Sequence, residues 1–130
     1  MSYANADRRT YSFPAVNFAT NSAQAIRGPK GKMALLQSIS MSATTTFTAT
    51  TTQGRVDVGV TGTPQAYASL PLGTTAAGGA IASDDSARTA PVITQNRLPA
   101  DTDVLMSFVA PTGGSPAGVG TVTVVIDWML

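Results

Sequence analysis

Along residues 119–130 (VGTVTVVIDWML), Val122, Val124, Ile126 and Trp128 fall on one side of an extended chain, and Thr121, Thr123, Val125 and Asp127 fall on the other. Alternation with period two marks a strand, and one this apolar belongs in the middle of a sheet. Trp128 is the only tryptophan and carries the largest apolar surface of any residue, so the face that receives it is expected to be the main core. Gly113, Gly114, Pro116, Gly118 and Gly120 lead into this run and predict a sharp turn before it. Residues 103–110 (DVLMSFVA) repeat the pattern, with Val104, Met106 and Phe108 on one face and Leu105, Ser107 and Val109 on the other. Both faces are fairly apolar, which predicts a second central strand.

The earlier runs are shorter. In residues 8–18 (RRTYSFPAVNF) Tyr11 and Phe13 share a face while Pro14 lacks a ladder donor, which predicts an edge strand or two pieces joined at the proline. Residues 23–27 form a short extended piece that ends in the turn Gly28-Pro29-Lys30-Gly31-Lys32. Residues 33–42 (MALLQSISMS) read as a strand, Leu35, Ile39 and Met41 alternating with Leu36, Ser38 and Ser40. Residues 44–52 (TTTFTATTT) resist helix and suit an exposed or inter-subunit strand face. Gln53-Gly54 then reads as the turn of a hairpin into residues 55–60 (RVDVGV), with Val56, Val58 and Val60 inward and Arg55 and Asp57 outward. Residues 65–70 read as a short strand or a turn of helix, and residues 73–85 as a Gly/Ala/Ser-rich loop around a brief strand at 80–82. Residues 91–94 make another short strand, and residues 98–102 a turn. About eight short strands at turn-separated intervals predict an all-β fold: a single-domain, two-sheet β-sandwich, jelly-roll-like, over residues 10–130. Residues 1–9 are expected to form a small polar arm, loose or docked on a neighbour.

Composition agrees with that class. A chain of 130 residues buries roughly two thirds of its unfolded surface and needs no metal or disulfide to fold. The acids are all Asp and the bases mostly Arg, so the usual Glu and Lys of helix surfaces are scarce beside Thr and Val. A net charge of +1 offers no general field for nucleic acid or an anionic membrane, which leaves only a local patch. With no Cys there is no disulfide or thiolate site, and redox chemistry does not report the compartment. No apolar run approaches the ~20 residues that would span a bilayer, and the first residues lack the apolar segment of a secretory signal. A soluble product of a cytoplasm is expected.

The absence of His removes the commonest general base, the serine triad and most zinc sites. Residues 28–33 (GPKGKM) lack the spacer and hydroxyl of a P-loop, and residues 113–120 (GGSPAGVG) open a strand where a nucleotide loop would open a helix. Asp84-Asp85 and Asp101-Thr102-Asp103 are the carboxylate clusters. They can serve turns and caps, hold a calcium ion, or supply a glycosidase pair if the fold brings them together. No catalytic residue, metal ligand or cofactor is assigned. Asp127 is expected to pair with an Arg across strands. Tyr3, Arg8, Arg9 and Tyr11 form the most interaction-like cluster, since Arg and Tyr are enriched where proteins meet; the alternative is a basic tail. Lys30 and Lys32 make a basic loop that either meets an acidic partner or is a solvated turn.

The order of these features resembles a group of small proteins that tailed bacteriophages encode next to their major capsid proteins. The likeness rests on RGPKGKMALLQSIS at residues 27–40, RVDVGV and QAYASL within residues 55–70, LPADTDVLMSFVAPTGG at residues 98–114 and VTVVIDW at residues 122–128. The resemblance implies a capsid decoration, or cement, protein: a jelly-roll or related β-sandwich on the exterior of the virion capsid, often a homotrimer, that bridges neighbouring major capsid proteins. It transfers no individual contact residue. Within this reading Tyr3, Arg8, Arg9, Tyr11, Lys30 and Lys32 are the protein-contact candidates, together with the Thr-rich strand. A receptor-binding or fibre-tip module would use the same sandwich but would carry exposed aromatics, and a small hydrolase would need converging Asp residues.

Overall fold

The computed structural model describes residues 7–48, 51–83, 92–113 and 117–129. Nine strands account for most of them: β1 (Asp7–Asn17), β2 (Ser22–Ile26), β3 (Ala34–Thr48), β4 (Arg55–Val60), β5 (Thr63–Pro71), β6 (Ala80–Ala82), β7 (Arg97–Leu98), β8 (Val104–Val109) and β9 (Ala117–Trp128). Among the described residues there is no helix. Two antiparallel sheets stack face to face, one in the order β1-β9-β3-β6 with β7 also on β3, the other in the order β2-β8-β4-β5.

The pairing is nested. β1 pairs with β9, β2 with β8, β3 with β6 and β7, and β4 with β5, so the first half of the chain winds against the second half in reverse order. With β6 and β7 taken as two pieces of one interrupted strand, this is the eight-strand jelly-roll arrangement that the spacing of turns predicts.

The core lies between the sheets and takes alternate residues from each. Val122, Val124 and Ile126 of β9 are fully buried, as are Val56 and Val58 of β4 and Met106 of β8. Each such side chain contributes roughly 1.5–3 kcal/mol by leaving water. Phe18 anchors one end of this layer, its ring 5.1 Å from Phe47 and 6.0 Å from Phe108. Gly118, with φ of 154°, lets β9 run under Phe47, because a Cβ there would lie 2.4 Å from the ring. At the opposite end Trp128 is buried, and its indole N–H donates to the Tyr11 hydroxyl at 2.9 Å.

Several local expectations hold. β1 is an edge strand, and its register with β9 slips between Phe13 and Val16, at Pro14 and at Ala15 with its φ of 53°. β8 and β9 are central strands, and the brief strand at Ala80–Ala82 is present. Others need correction. Residues 44–52 and 55–60 do not form a hairpin: β3 lies in one sheet and β4 in the other, and β4 turns back through Thr61 and Gly62 to pair with β5. The Gln-Gly signal marks a crossover between sheets. Leu35 does not share a face with Ile39 and Met41; an extra residue between Leu36 and Ser38 shifts the register, so Leu36 is the buried one. Of residues 91–94, Ile93 makes only an isolated bridge to Ala68, and Pro91 lies outside the described residues. Asp7, Arg8 and Arg9, the last three residues of the expected arm, are the first three of β1, while residues 1–6 lie outside the described residues.

Candidate protein-contact surface

Nested pairing sends distant stretches to the same end of the sandwich. Asp7 of β1 and Ala34 of β3 both face Trp128 of β9, and Ala34 also faces Leu98 of β7. In the other sheet Ile26 faces Val104. The loop of residues 27–33 and the turn of residues 99–103 therefore meet there, tied by the Gly31 amide donating to Asp101 Oδ1 at 2.8 Å. This end holds Arg8, Arg9, Arg27, Lys30, Lys32 and Arg97, against Asp7, Asp101, Asp103 and Asp127. Among the described residues the rest of the molecule carries only the Arg55–Asp57 pair.

Most of these charges are spent internally. Arg8 clasps Asp127 with two parallel bonds, Nε to Oδ1 at 2.7 Å and Nη2 to Oδ2 at 2.9 Å, while Gln37 donates to Oδ2 at 2.8 Å. The Arg8 hydrogen bonds, then its charge and the Gln37 bond, hold the Asp127 carboxyl below the usual carboxylate range against the opposing effect of burial. This is the cross-strand partner the sequence leads one to expect. Arg9 pairs with Asp7 at 2.8 Å, which raises its pKa, and Arg27 pairs with Asp103 at 2.8 Å. Lys30, Lys32 and Arg97 make no salt bridge among the described residues.

The contact candidates named from the sequence thus divide. Arg8, Arg9, Lys30 and Lys32 gather at the charged end. Tyr11 is half-buried and spends its hydroxyl on Trp128. Tyr3 lies outside the described residues. Two residues that no sequence motif marks stand beside the lysines: Met33 and Met129, 53% and 42% exposed, bound to each other by the Met129 amide donating to the Met33 carbonyl at 2.7 Å. A signal for Met129 was available, since it follows Trp128 and must point away from the core face that Trp128 enters.

The opposite end is built of hydroxyls and small residues. Thr44 donates to the Val119 carbonyl at 3.0 Å, Thr46 accepts from the Ala77 amide at 3.1 Å, and Thr75 donates to the Leu72 carbonyl at 2.7 Å. Thr52 and Thr112 bridge with their backbones and share a short hydrogen bond between their hydroxyls. The threonine run therefore knits loops to the sandwich as well as coating it. A third surface feature is a hollow of about 390 Å³ between the edges of β1 and β2, lined by Phe13, Pro14, Val16 and Phe108 with Ser22 and Gln24 on its polar side.

The Asp clusters do not assemble a reacting site in the described residues. Asp101 caps the Gly31 turn, Asp103 pairs with Arg27, and Asp84 and Asp85 lie outside the described residues. No group of three or more acidic or metal-ligating side chains converges among the described residues. Asp57 is the unexpected one: placed outward by alternation, it is nonetheless fully buried, under Arg55, Gln65 and Ser69. Compared with protein-family models, curated proteins and solved structures, the chain matches none.

Proposed function

We propose that this protein is a capsid decoration protein of a tailed bacteriophage, which binds the outside of an assembled icosahedral head and bridges neighbouring major capsid proteins. The resemblance of the quoted segments motivates the assignment. The observation that carries it is the division of one sandwich, among the described residues, into a charged end and a hydroxyl-rich end that is nearly uncharged. A clamp between unlike surfaces needs two such faces held at a fixed separation, and a jelly roll supplies that rigidity through its long antiparallel ladders. A protein that binds only the assembled lattice stabilises it by mass action, and many copies on one particle multiply the effect. Self-association into a trimer on the lattice completes the proposal.

The test mixes the purified protein with heads of the phage that encodes it and with unassembled capsid subunits. Cosedimentation with heads, little binding to free subunits, and greater resistance of the decorated heads to heat or chelator are expected. Equal binding to both forms, or decorated heads no more resistant than bare ones, overturns the assignment. Sedimentation of the free protein as a monomer at all concentrations removes a preformed trimer.

A further inference from the structure

We infer that the sandwich docks through the end that carries Lys30, Lys32, Met33 and Met129, and that its partner is an acidic protein surface with an apolar centre. The inference rests on the decoration reading and adds to it the docking face and the chemistry of the partner. Arg8, Arg9, Arg27 and Arg55 each face an Asp within 3 Å, so their fields are largely cancelled inside the molecule. The lysines are different. Neither has an acidic partner among the described residues, Lys30 is exposed, and both lie on a loop fixed from several sides. Gly28 lies flat against the Trp128 ring, where a Cβ would approach to 2.2 Å. The Lys32 amide donates to the Pro29 carbonyl at 3.2 Å, and Gly31 is held by Asp101, whose own φ is 56°. A solvated turn has no need of this scaffolding, whereas a docking loop held in one shape loses little entropy on binding.

Met33 and Met129 give the patch its centre. They are the exposed large hydrophobic residues of the described chain, and the bond between their backbones keeps them adjacent. Methionine adapts its shape to an apolar partner, while flanking lysines steer and orient an acidic one. Nucleic acid fits the patch less well, because the exposed methionines have no counterpart on a phosphate backbone.

Cosedimentation with heads at about 0.05 M and about 0.5 M salt separates the outcomes. Lys30→Glu/Lys32→Glu should bind heads on the order of tenfold more weakly than wild type at low salt and lose most of the salt dependence. Lys30→Gln/Lys32→Gln should fall between them. Met33→Ser/Met129→Ser should weaken binding at both salt concentrations alike. Thr45→Glu/Thr74→Glu, at the opposite end, should bind as wild type does. Thermal melts establish that each variant is folded. Wild-type binding that survives the lysine reversal but is lost in the threonine variant overturns the docking face and leaves the decoration reading standing. Failure of the wild type to bind heads overturns both, and retardation of duplex DNA at the protein concentrations that saturate heads replaces the protein partner with a phosphate one.

Discussion

Replacing Asp57 with alanine tests whether the outer face of the second sheet is interior or surface. By register Asp57 stands between Ser107 of β8 and Ser69 of β5, on the side of the sheet away from the hydrophobic core. Its side chain is nevertheless 1% exposed. Ser69 Oγ donates to Oδ1 at 2.7 Å and Arg55 Nε to Oδ2 at 2.9 Å; Gln65 Nε2, at 3.4 Å from both oxygens, contributes little at that length. A hydrogen bond to a charged group is worth roughly 1.5–3 kcal/mol. The Arg55 bond is discounted because that side chain is 41% exposed and water competes for it. Removing the carboxylate also removes its own desolvation cost. Asp57→Ala should therefore destabilise by about 2–3 kcal/mol, with a fall in melting temperature of roughly 8–12 °C for a chain of this size. Arg55→Ala should cost about 1–2 kcal/mol: it leaves the buried carboxylate without its cation, while Ser69 stays in place and water can enter where the half-exposed arginine stood. Urea denaturation of both variants and of the double variant measures the coupling, provided the slope of each transition is unchanged. Asp57→Ala within about 0.5 kcal/mol of wild type is the behaviour of an ordinary surface position and refutes the argument.

Gly118→Ala should lower stability by about 2 kcal/mol or more, because the added methyl would stand 2.4 Å from the Phe47 ring in a backbone conformation that L residues avoid; an unchanged thermal melt contradicts it. Ala15→Gly acts in the other direction: relief of a left-handed conformation at φ 53° offsets the added freedom of the unfolded chain, so the melt should stay level or rise by a few degrees, and a clear fall is the refuting result. For Asp127 the folded carboxyl titrates below its unfolded value, so its contribution is complete above about pH 4 and is lost as the pH drops through the folded pKa. The stability gap between wild type and Asp127→Asn should be constant from about pH 6 to about pH 5 and narrow as the pH falls further; a gap that widens on acidification reverses the sign of the linkage.

The sandwich was legible because its strongest strands alternate without interruption. Residues 122–128 and 104–108 each carry an unbroken apolar series on one face, and both are central strands. Alternation fails where the chain departs from it by one residue. At Gln37 a single extra position turns Leu36 inward in place of Leu35, and the displaced Gln37 side chain is free to reach Asp127. Nothing in the local composition announces such a bulge, since Leu-Leu-Gln fits either register. The Gln-Gly pair misled for a related reason: turn chemistry specifies that the chain reverses, but not whether it returns to the same sheet. Asp57 obeys alternation and still escapes water, because burial on an outer face depends on Gln65 and Ser69 of the next strand, which only the pairing brings alongside.

The charged end illustrates the same limit at a larger scale. Arg8, Lys30, Lys32, Arg97 and Asp127 are spread over almost the whole chain, and a net charge of +1 gives no sign that they cluster. In a nested antiparallel arrangement each strand start meets the finish of its partner, as Asp7 meets Trp128 and Val104 meets Ile26. Loops that enter odd-numbered positions of the roll and loops that leave even-numbered ones then collect at one end, whatever their separation in sequence. The jelly-roll topology thus converts a sparse set of charges into a concentrated one. It also places the one tryptophan beneath that set, so the loop at Gly28 is supported by the largest side chain in the core. Weakening that support by Trp128→Leu should loosen the loop before it unfolds the sandwich, because Val122, Val124 and Ile126 continue to hold β9 in place.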